Sequence, residues 1–297
     1  MKRALAMVAL ATMSLTVTST PAPAAPAGPV RLPNTKDPVV VLLEQVYGLS
    51  PGPKHTFNAY LPQLGGGPYP GVILIHGGGW RHGSKHDMAF IGRYFARRGL
   101  AAFSINYRLV PRHPWPAQIE DARMAVEWIR SQANTYNIDP SRLGAFGVSA
   151  GGQLAAMLST QTDGQPNSGA GVKAAAAWSA PMDLLGMTSG STNPAKVKRF
   201  LDCDSESECE AAAAAASPIT FVDRTDPWLY FVHSRYEARV PVSTARRMDR
   251  RMRDVRAPHT YIELPGDKHS KAYKNDRVPG SSKTVIQATL DFFLTHL

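Results

Sequence analysis

Short continuous apolar runs alternate with segments of helical pattern along most of this chain. Such runs, bounded by glycine, proline or polar clusters, are typical of buried strands. The alternation predicts a mostly parallel sheet that is covered by helices on both faces. The predicted strands are residues 39–47 and 55–61, which form a hairpin, then 71–75, 101–107, 142–146, 173–178, 228–232 and 260–264. The predicted helices are residues 88–98, 117–136, 153–158, 242–255 and 282–297.

The length of 297 residues suits one large α/β domain, and neither a repeat nor a linker divides the chain. Lys2 and Arg3 precede a short apolar stretch and an alanine-rich segment, which predicts a signal peptide at 1–27 and a mature domain at 28–297. Cleavage is expected after Ala24 or Ala27. The apolar stretch is too short for a membrane anchor, and the absence of a nearby cysteine argues against a lipoprotein. We therefore expect a secreted protein with no membrane attachment.

The formal net charge of +10 comes largely from arginines in residues 239–256. These arginines recur within a segment of helical pattern, which favours a solvated helix face. Adsorption to anionic polymers stays open as an alternative, whereas no motif supports nucleic-acid binding.

A glycine-rich segment at 147–152 joins an apolar run to a helical one, and it reads Gly-Val-Ser-Ala-Gly-Gly. Glycines two residues before and two after Ser149 suit a sharp strand-to-helix turn that leaves no room for side chains. Such a turn exposes the hydroxyl to a base at the start of a helix, where negative charge is favoured. The segment predicts that Ser149 is a nucleophile.

A second glycine-rich segment, His76-Gly77-Gly78-Gly79-Trp80, directly follows the predicted strand at 71–75. Its backbone N–H groups can approach a ligand closely. We expect those of Gly78 and Gly79, together with that of Ala150, to form an oxyanion hole. His76 is expected to have a structural role, because it precedes the serine in the chain.

These two motifs resemble those of α/β-hydrolase esterases and lipases that carry HGGGW and G-x-S-x-G. The chain is similar both to hormone-sensitive-lipase-like esterases and to bifunctional feruloyl and acetyl-xylan esterases. Further similarity lies in Asn106-Tyr107-Arg108-Leu109 and the proline-rich segment that follows. Val148 stands where hormone-sensitive-lipase-like members usually carry aspartate, which favours the polysaccharide-esterase side. The resemblance implies an α/β-hydrolase fold with a small cap insertion, a catalytic triad and no cofactor.

The base of the triad is predicted to be His269, in a loop directly after the strand at 260–264. The other histidines that follow Ser149 in the chain are His233, His259 and His296. By resemblance, the segment from His233 to Pro241 places Glu237 where the family has aspartate, so Glu237 is the predicted acid. The alternatives are a solvated Glu237 that pairs with a neighbouring arginine, then Asp226, and then Asp267.

The two cysteines of the chain, Cys203 and Cys209, lie in an acidic stretch and predict a disulfide in an exported protein. They fall in a predicted insertion at 181–216 between two core strands. The bridge either stiffens a cap over the active site or closes a remote surface loop, and the sequence leaves both open. A zinc site is not expected, since further ligands at metal spacing are missing.

Together these features predict a secreted serine carboxylic-ester hydrolase that acts through an acyl-enzyme, without cofactor or metal. The expected substrates are small or plant-polymer-derived esters with acetyl, feruloyl or short-chain acyl groups. A serine peptidase and an amidase or aryl-formamidase are alternatives on the same fold. A non-catalytic binding module is less favoured, because nucleophile, base and oxyanion loop are all present.

Overall fold

The computed structural model describes residues 38–49, 52, 54–161, 169–188 and 194–297. The predicted signal peptide at 1–27, with its cleavage positions, lies outside these residues. Within them, no helix combines the length and apolar character that crossing a bilayer requires.

The described residues form one eight-stranded sheet with the order β1-β2-β4-β3-β5-β6-β7-β8. β2 is antiparallel to both of its neighbours, β1 and β4, and the other neighbouring pairs are parallel. The predicted mostly parallel sheet is therefore confirmed. The strands are β1 Val39–Val46, β2 Thr56–Pro62, β3 Tyr69–Ile75, β4 Ala101–Ile105, β5 Ile138–Val148, β6 Ala174–Trp178, β7 Trp228–Ser234 and β8 His259–Leu264.

Helices cover both faces of the sheet, as the sequence predicts. Two short 3₁₀ helices, Lys85–Met88 and Ser270–Tyr273, accompany them. The α-helices are α1 Ala89–Ala96, α2 Ala117–Ser131, α3 Ala133–Tyr136, α4 Ala150–Thr160, α5 Leu185–Thr188, α6 Pro194–Leu201, α7 Glu206–Ala215, α8 Pro218–Phe221, α9 Val242–Val255 and α10 Val285–His296.

Two predicted helices need correction. The helix predicted at 117–136 is divided, because Gln132 leaves the helical conformation with a ψ of 20° and its N–H closes α2 onto the carbonyls of Trp128 and Ile129. Asn137, with a φ of 51°, then ends α3 in the left-handed region. The helix predicted at 88–98 begins earlier, as the 3₁₀ turn Lys85–Met88, before α1.

The central strands supply side chains to two cores, one on each face. Ile73 and Ile75 pack in the core formed with α2, α4 and α9, whereas Val72 and Leu74 pack in the core formed with α1 and α10. This division follows from the two-residue period of a strand. Because both faces of β3 are buried against helices, its sequence is a nearly continuous apolar run.

The carboxyl ends of the parallel strands meet at one edge of the sheet, where this class of fold places its ligands. The loops that leave β3, β5, β7 and β8 there carry the glycine-rich segment, Ser149, Glu237 and His269. The topology therefore brings together four segments that are distant in sequence.

The arginine-rich segment forms the amphipathic helix α9. Its buried side contributes Ala245, Met248 and Met252 to the core. Arg246 and Arg253 on its outer side pair with Glu263 and Asp249. Much of its charge is therefore balanced locally.

Candidate active site

Ser149 occupies the turn between β5 and α4 with a φ of 54° and a ψ of −122°. A positive φ is uncommon for a residue with a side chain and is found where the surroundings enforce it. The N–H of Ser149 donates a hydrogen bond of 2.7 Å to the carbonyl of Trp178 on β6, which fixes the turn to the sheet. The serine is half-buried and lines a pocket at the sheet edge.

The glycines around Ser149 are required by close backbone contacts. A Cβ on Gly147 would collide with the carbonyl of Gly151, and a Cβ on Gly151 would collide with the carbonyls of Ile75 and His76. A Cβ on Gly77 would lie 2.8 Å from the carbonyl oxygen of Val148. The turn that holds the serine is thus packed directly against the start of the second glycine-rich segment.

Gly78 and Gly79 line the pocket together with Ser149 and Ala150. Their φ values of 119° and 59° lie in the region that favours glycine. Among the described residues, no group accepts a hydrogen bond from the N–H of Gly78 or Gly79. Ala150 is the first residue of α4, so its N–H has no partner within the helix and lies at the positive end of the helix dipole.

His76 is buried beneath this loop. Its Nδ1–H donates to the carbonyl of Gly77 at 2.7 Å, and its ring stacks on Tyr107 with centroids 4.3 Å apart. The Tyr107 hydroxyl donates to the His76 carbonyl at 3.0 Å. Burial lowers the pKa of His76 to about 4, so the ring is neutral. Through these contacts His76 and Tyr107 support the glycine loop from below. The contribution of Tyr107 was not predicted from the sequence.

His269 and Glu237 form a direct pair. The Nδ1 atom of His269 lies 2.9 Å from Oε1 and 3.0 Å from Oε2 of Glu237. His269 also lines the pocket that holds Ser149, whereas the carboxylate of Glu237 is buried behind it. Because a carboxylate accepts a hydrogen bond from Nδ1–H, the Nε2 atom is left as the basic nitrogen.

Glu237 is held as a carboxylate by its surroundings. The N–H of Val240 donates to its Oε1 at 2.8 Å, and Nε2 of His233 lies 3.6 Å from its Oε2. Burial raises the pKa of Glu237, but the hydrogen bond from His269 and the adjacent histidine rings outweigh burial, and the pKa is lowered overall. Burial lowers the pKa of His233, and its Nε2–H donates to the Val240 carbonyl at 2.9 Å.

The other candidate acids make no hydrogen bond to His269 among the described residues. Asp226 precedes β7, whose seven residues span roughly 20 Å, so it lies at the opposite end of the strand from Glu237. Asp267 is exposed. Arg235, a possible partner of a solvated Glu237, pairs with Glu263 at 2.7 Å instead. Of the candidate acids, the geometry therefore brings Glu237 to His269.

The other histidines that follow the serine have partners of their own. His233 is bonded to the Val240 carbonyl, and Nε2 of His259 lies 3.2 Å from Asp249. His296 stacks on Trp228 at the start of β7. None of these three lines the pocket.

A hydroxyl network that the sequence did not reveal holds the His269 loop. Ser179, at the end of β6 with a φ of 50°, accepts a hydrogen bond from the N–H of Ser270 at 2.9 Å. Its Oγ lies 3.1 Å from the hydroxyl of Tyr273, which donates to the carbonyl of Val232 at 2.9 Å. A serine after a strand is too common a signal to have identified this network.

The predicted disulfide between Cys203 and Cys209 is present. Both cysteines are buried in an apolar cluster that also contains Trp80, Val197 and Phe200. The described part of the insertion forms α5, α6 and α7, and Met187, Lys196 and Val197 from it line the pocket. The bridge is therefore next to the pocket wall.

The pocket has a volume of about 930 Å³. This is at the upper end of the range for small-molecule sites and far exceeds what an acetyl group would fill. Its apolar lining includes Pro181, Met187, Val197 and Val240. Its polar lining includes Ser149, His269 and Ser270.

A serine held at a strand-to-helix turn of such a sheet, beside a histidine–carboxylate pair, is the arrangement of the α/β-hydrolases. The chain belongs to the BD-FAE family, whose profile matches residues 57–252.

Comparisons with individual proteins agree with this family assignment. The chain is 30% identical over 219 residues to esterase LipC of Mycobacterium tuberculosis, a match that covers 68% of this chain and 53% of that enzyme. It is 41% identical over 96 residues to arylacetamide deacetylase of Bos taurus, which covers 31% of this chain and 24% of the relative. A truncated carbohydrate esterase from gut microbiota matches in structure with a TM-score of 0.76, 27% identity, and coverage of 91% of this chain and 99% of that one. The match spans about half the length of LipC and about a quarter of the length of the deacetylase.

Proposed function

We propose that this protein hydrolyses carboxylic esters through an acyl-enzyme formed on Ser149. The observation that carries the proposal is the pairing of His269 with the buried carboxylate of Glu237 at 2.9 Å, in a pocket that also exposes Ser149. A carboxylate in this position holds the imidazole in the tautomer that can accept a proton and stabilises the imidazolium that forms.

The reaction follows from these roles. Nε2 of His269 takes the proton of the Ser149 hydroxyl as Oγ attacks the carbonyl carbon of the ester. The bond to the alcohol oxygen then breaks, and the imidazolium returns its proton to the departing alcohol. Water, deprotonated by His269, attacks the acyl-enzyme, and release of the carboxylic acid restores the serine.

The oxyanion of each tetrahedral intermediate lies within reach of the N–H groups of Gly78, Gly79 and Ala150. The absence of a competing acceptor for the two glycine N–H groups within the described residues supports this assignment. Removing a single such donor typically costs about 10²–10³ in kcat. The three N–H groups are backbone groups, so their positions depend on the packing of the loop.

The insertion around α5, α6 and α7 is proposed to act as a cap that shapes the acyl and alcohol sites. Its contribution of Met187 and Val197 to the pocket wall supports this role. The similarity to a carbohydrate esterase supports acetyl, feruloyl or short-chain acyl esters of a saccharide or other plant-derived alcohol as substrates.

The experiment that tests the proposal compares 4-nitrophenyl esters of increasing acyl length with acetylated xylan and a feruloyl ester. We expect hydrolysis of the short 4-nitrophenyl esters and of at least one of the two polymer-type substrates. Failure to cleave any ester, by folded protein, would overturn the proposed function.

Amide hydrolysis is a second candidate function. The local match to arylacetamide deacetylase favours it, because that relative is named for cleaving an acetylated arylamine. The same serine, base and oxyanion donors would serve, with His269 protonating an amine in place of an alcohol. A matched pair of substrates, 4-nitrophenyl acetate and 4-nitroacetanilide, distinguishes the two activities.

We further propose that the protein is secreted. The disulfide supports an oxidising compartment, and the charged, then apolar, then alanine-rich start of the chain supports export. N-terminal sequencing of protein recovered from the culture medium tests this, with a start at Ala25 or Gly28 as the expected result.

A further inference from the structure

Three basic side chains that line the pocket, those of Lys196, Arg239 and Lys271, have no carboxylate partner among the described residues. Lys196 on α6 and Arg239 in the loop between Glu237 and Val240 both line the pocket, and both are exposed. Lys196 and Arg239 are thus two exposed cations at one pocket that make no ion pair with a carboxylate of the described residues.

Lys196 and Arg239 each adjoin a residue of one apolar cluster. Their sequence neighbours, Val197 and Val240, belong to one buried apolar cluster that also includes Ala150, the residue after the proposed nucleophile. The stem of Lys196 extends toward the glycine loop, since its Cδ atom lies 3.9 Å from where a Cβ on Gly79 would be. Lysine stems cover apolar surface in this manner while the ammonium group remains in water.

Within the described residues, Asp87 is the only acidic side chain that lines the pocket. Its carboxylate accepts the N–H of Ser84 at 2.8 Å, and the ammonium group of Lys271 donates to the backbone carbonyl of Asp87 at 2.7 Å. The charged side chains that line the pocket, apart from histidines, are thus Lys196, Arg239, Lys271 and Asp87. The excess charge of the pocket lining is therefore positive.

We propose that this pocket selects esters that carry a carboxylate, which Lys196 and Arg239 bind at its opening. The inference rests on the proposed ester hydrolysis and specifies its substrate class. The planar fork of arginine matches a carboxylate with two parallel hydrogen bonds, and a lysine adds a mobile point charge. The carboxylate belongs either to an acidic saccharide on the alcohol side of the ester or to a dicarboxylic half-ester on the acyl side.

The experiment measures the ratio of kcat/KM for an anionic ester to that for a neutral ester of similar shape. On the alcohol side the pair is 3-acetoxybenzoate and 3-acetoxybenzamide. On the acyl side the pair is the 4-nitrophenyl half-ester of succinic acid and its succinamide counterpart. We expect a ratio of about 10 or more in one arm, which identifies the side that bears the charge, and a decline as NaCl rises from about 0.02 M to about 0.5 M.

Three variants identify the residues responsible. In the double variant Lys196→Gln with Arg239→Gln, the ratio should fall to about 1. In Lys196→Glu with Arg239→Glu it should fall below 1, because the opening then repels the carboxylate. The matched control is Arg250→Gln, an exposed arginine of α9 outside the pocket, which should leave the ratio unchanged.

A ratio near 1 in both arms for the unmodified protein would overturn the proposal, as would a high ratio that persists in the double variant. Hydrolysis of 4-nitrophenyl acetate and labelling of Ser149 by an organophosphonate are recorded in parallel. If these fail, the proposed function itself is wrong; if they succeed while the ratio stays near 1, only the anion selectivity is wrong.

Discussion

The indole ring of Trp80 stacks on the phenyl ring of Phe200, with centroids 4.0 Å apart and planes 10° apart. Trp80 ends the glycine-rich loop, and Phe200 belongs to α6 of the insertion. The indole N–H also donates to Gln153 on α4 at 3.1 Å, and the Gln153 side-chain amide donates to the carbonyl of Ala216 at 2.7 Å. The glycine-rich loop at 76–80, helix α4 and the insertion are therefore packed as one unit.

The first prediction follows from this packing. Phe200→Ala removes a fully buried ring that contacts both Trp80 and Trp115, so it should lower the free energy of unfolding by about 3–5 kcal/mol. It should also lower kcat for 4-nitrophenyl acetate, because the glycine loop loses its support. Denaturant unfolding and steady-state kinetics measure the two effects. Phe90→Ala, which truncates an exposed phenylalanine, is the control. A folded Phe200→Ala protein with normal kcat would show that the loop does not depend on the insertion.

The second prediction concerns the nucleophile. Ser149→Ala should lower kcat on any cleaved ester by about 10⁶-fold, because members of a triad act as a unit. The fold should be retained, as judged by circular dichroism. Ser131→Ala, at an exposed serine of α2, should be fully active. Stoichiometric labelling by an organophosphonate at a residue other than Ser149 would contradict the assignment.

The third prediction concerns the acid. Glu237→Gln preserves the shape of the side chain but presents an amide to His269, which favours the wrong tautomer. The expected loss is up to about 10⁴-fold in kcat. Glu237→Asp should lose far less, since it retains a carboxylate. Asp226→Asn, at the opposite end of β7, should leave kcat unchanged; the reverse result for these variants would show that Glu237 is not the acid.

The parts of this site that the sequence revealed are those with a strong local signal. The glycines around Ser149 are prescribed by backbone collisions within a few residues, so their spacing is readable from the chain alone. The prediction of His269 rested on its place in the loop after β8. The stacking of Trp80 on Phe200 joins residues 120 positions apart in the numbering, and no local pattern encodes such a contact. The division of the helix at Gln132 was missed for a related reason, since neither glycine nor proline marks it.

The fourth prediction is a pH dependence of stability that arises at Asp226. Burial raises the pKa of Asp226 to about 7, from a reference value of 3.8. Its Oδ1 atom is buried without a hydrogen-bond partner among the described residues. A group whose pKa is higher in the folded state stabilises the fold fully below its unfolded pKa and loses that contribution as the pH rises through the folded value. The contribution of Asp226 should therefore decline between about pH 4 and pH 7.

Thermal unfolding measured across this pH range tests the effect. Asp226→Asn should remove the part of the decline that Asp226 causes, so the variant should gain stability relative to the unmodified protein as the pH rises. Asp254→Asn, at an exposed aspartate of α9, should follow the unmodified protein. Parallel pH curves for Asp226→Asn and the unmodified protein would contradict the prediction.

The fifth prediction concerns the disulfide between Cys203 and Cys209. The bridge joins residues six positions apart, so it closes a short loop and stabilises the fold by no more than about 2 kcal/mol through chain entropy. Both sulfurs lie in the apolar cluster that contains Val197 and Phe200, next to the pocket. The double variant Cys203→Ser with Cys209→Ser should therefore change KM or the preference among acyl lengths more than it changes the midpoint of global unfolding.

Mass spectrometry of unreduced peptides verifies the bond, and two alkylatable thiols in protein exported under oxidising conditions would contradict it. A large loss of global stability with unchanged substrate preference would instead show that the bridge stabilises the domain as a whole and does not shape the pocket wall.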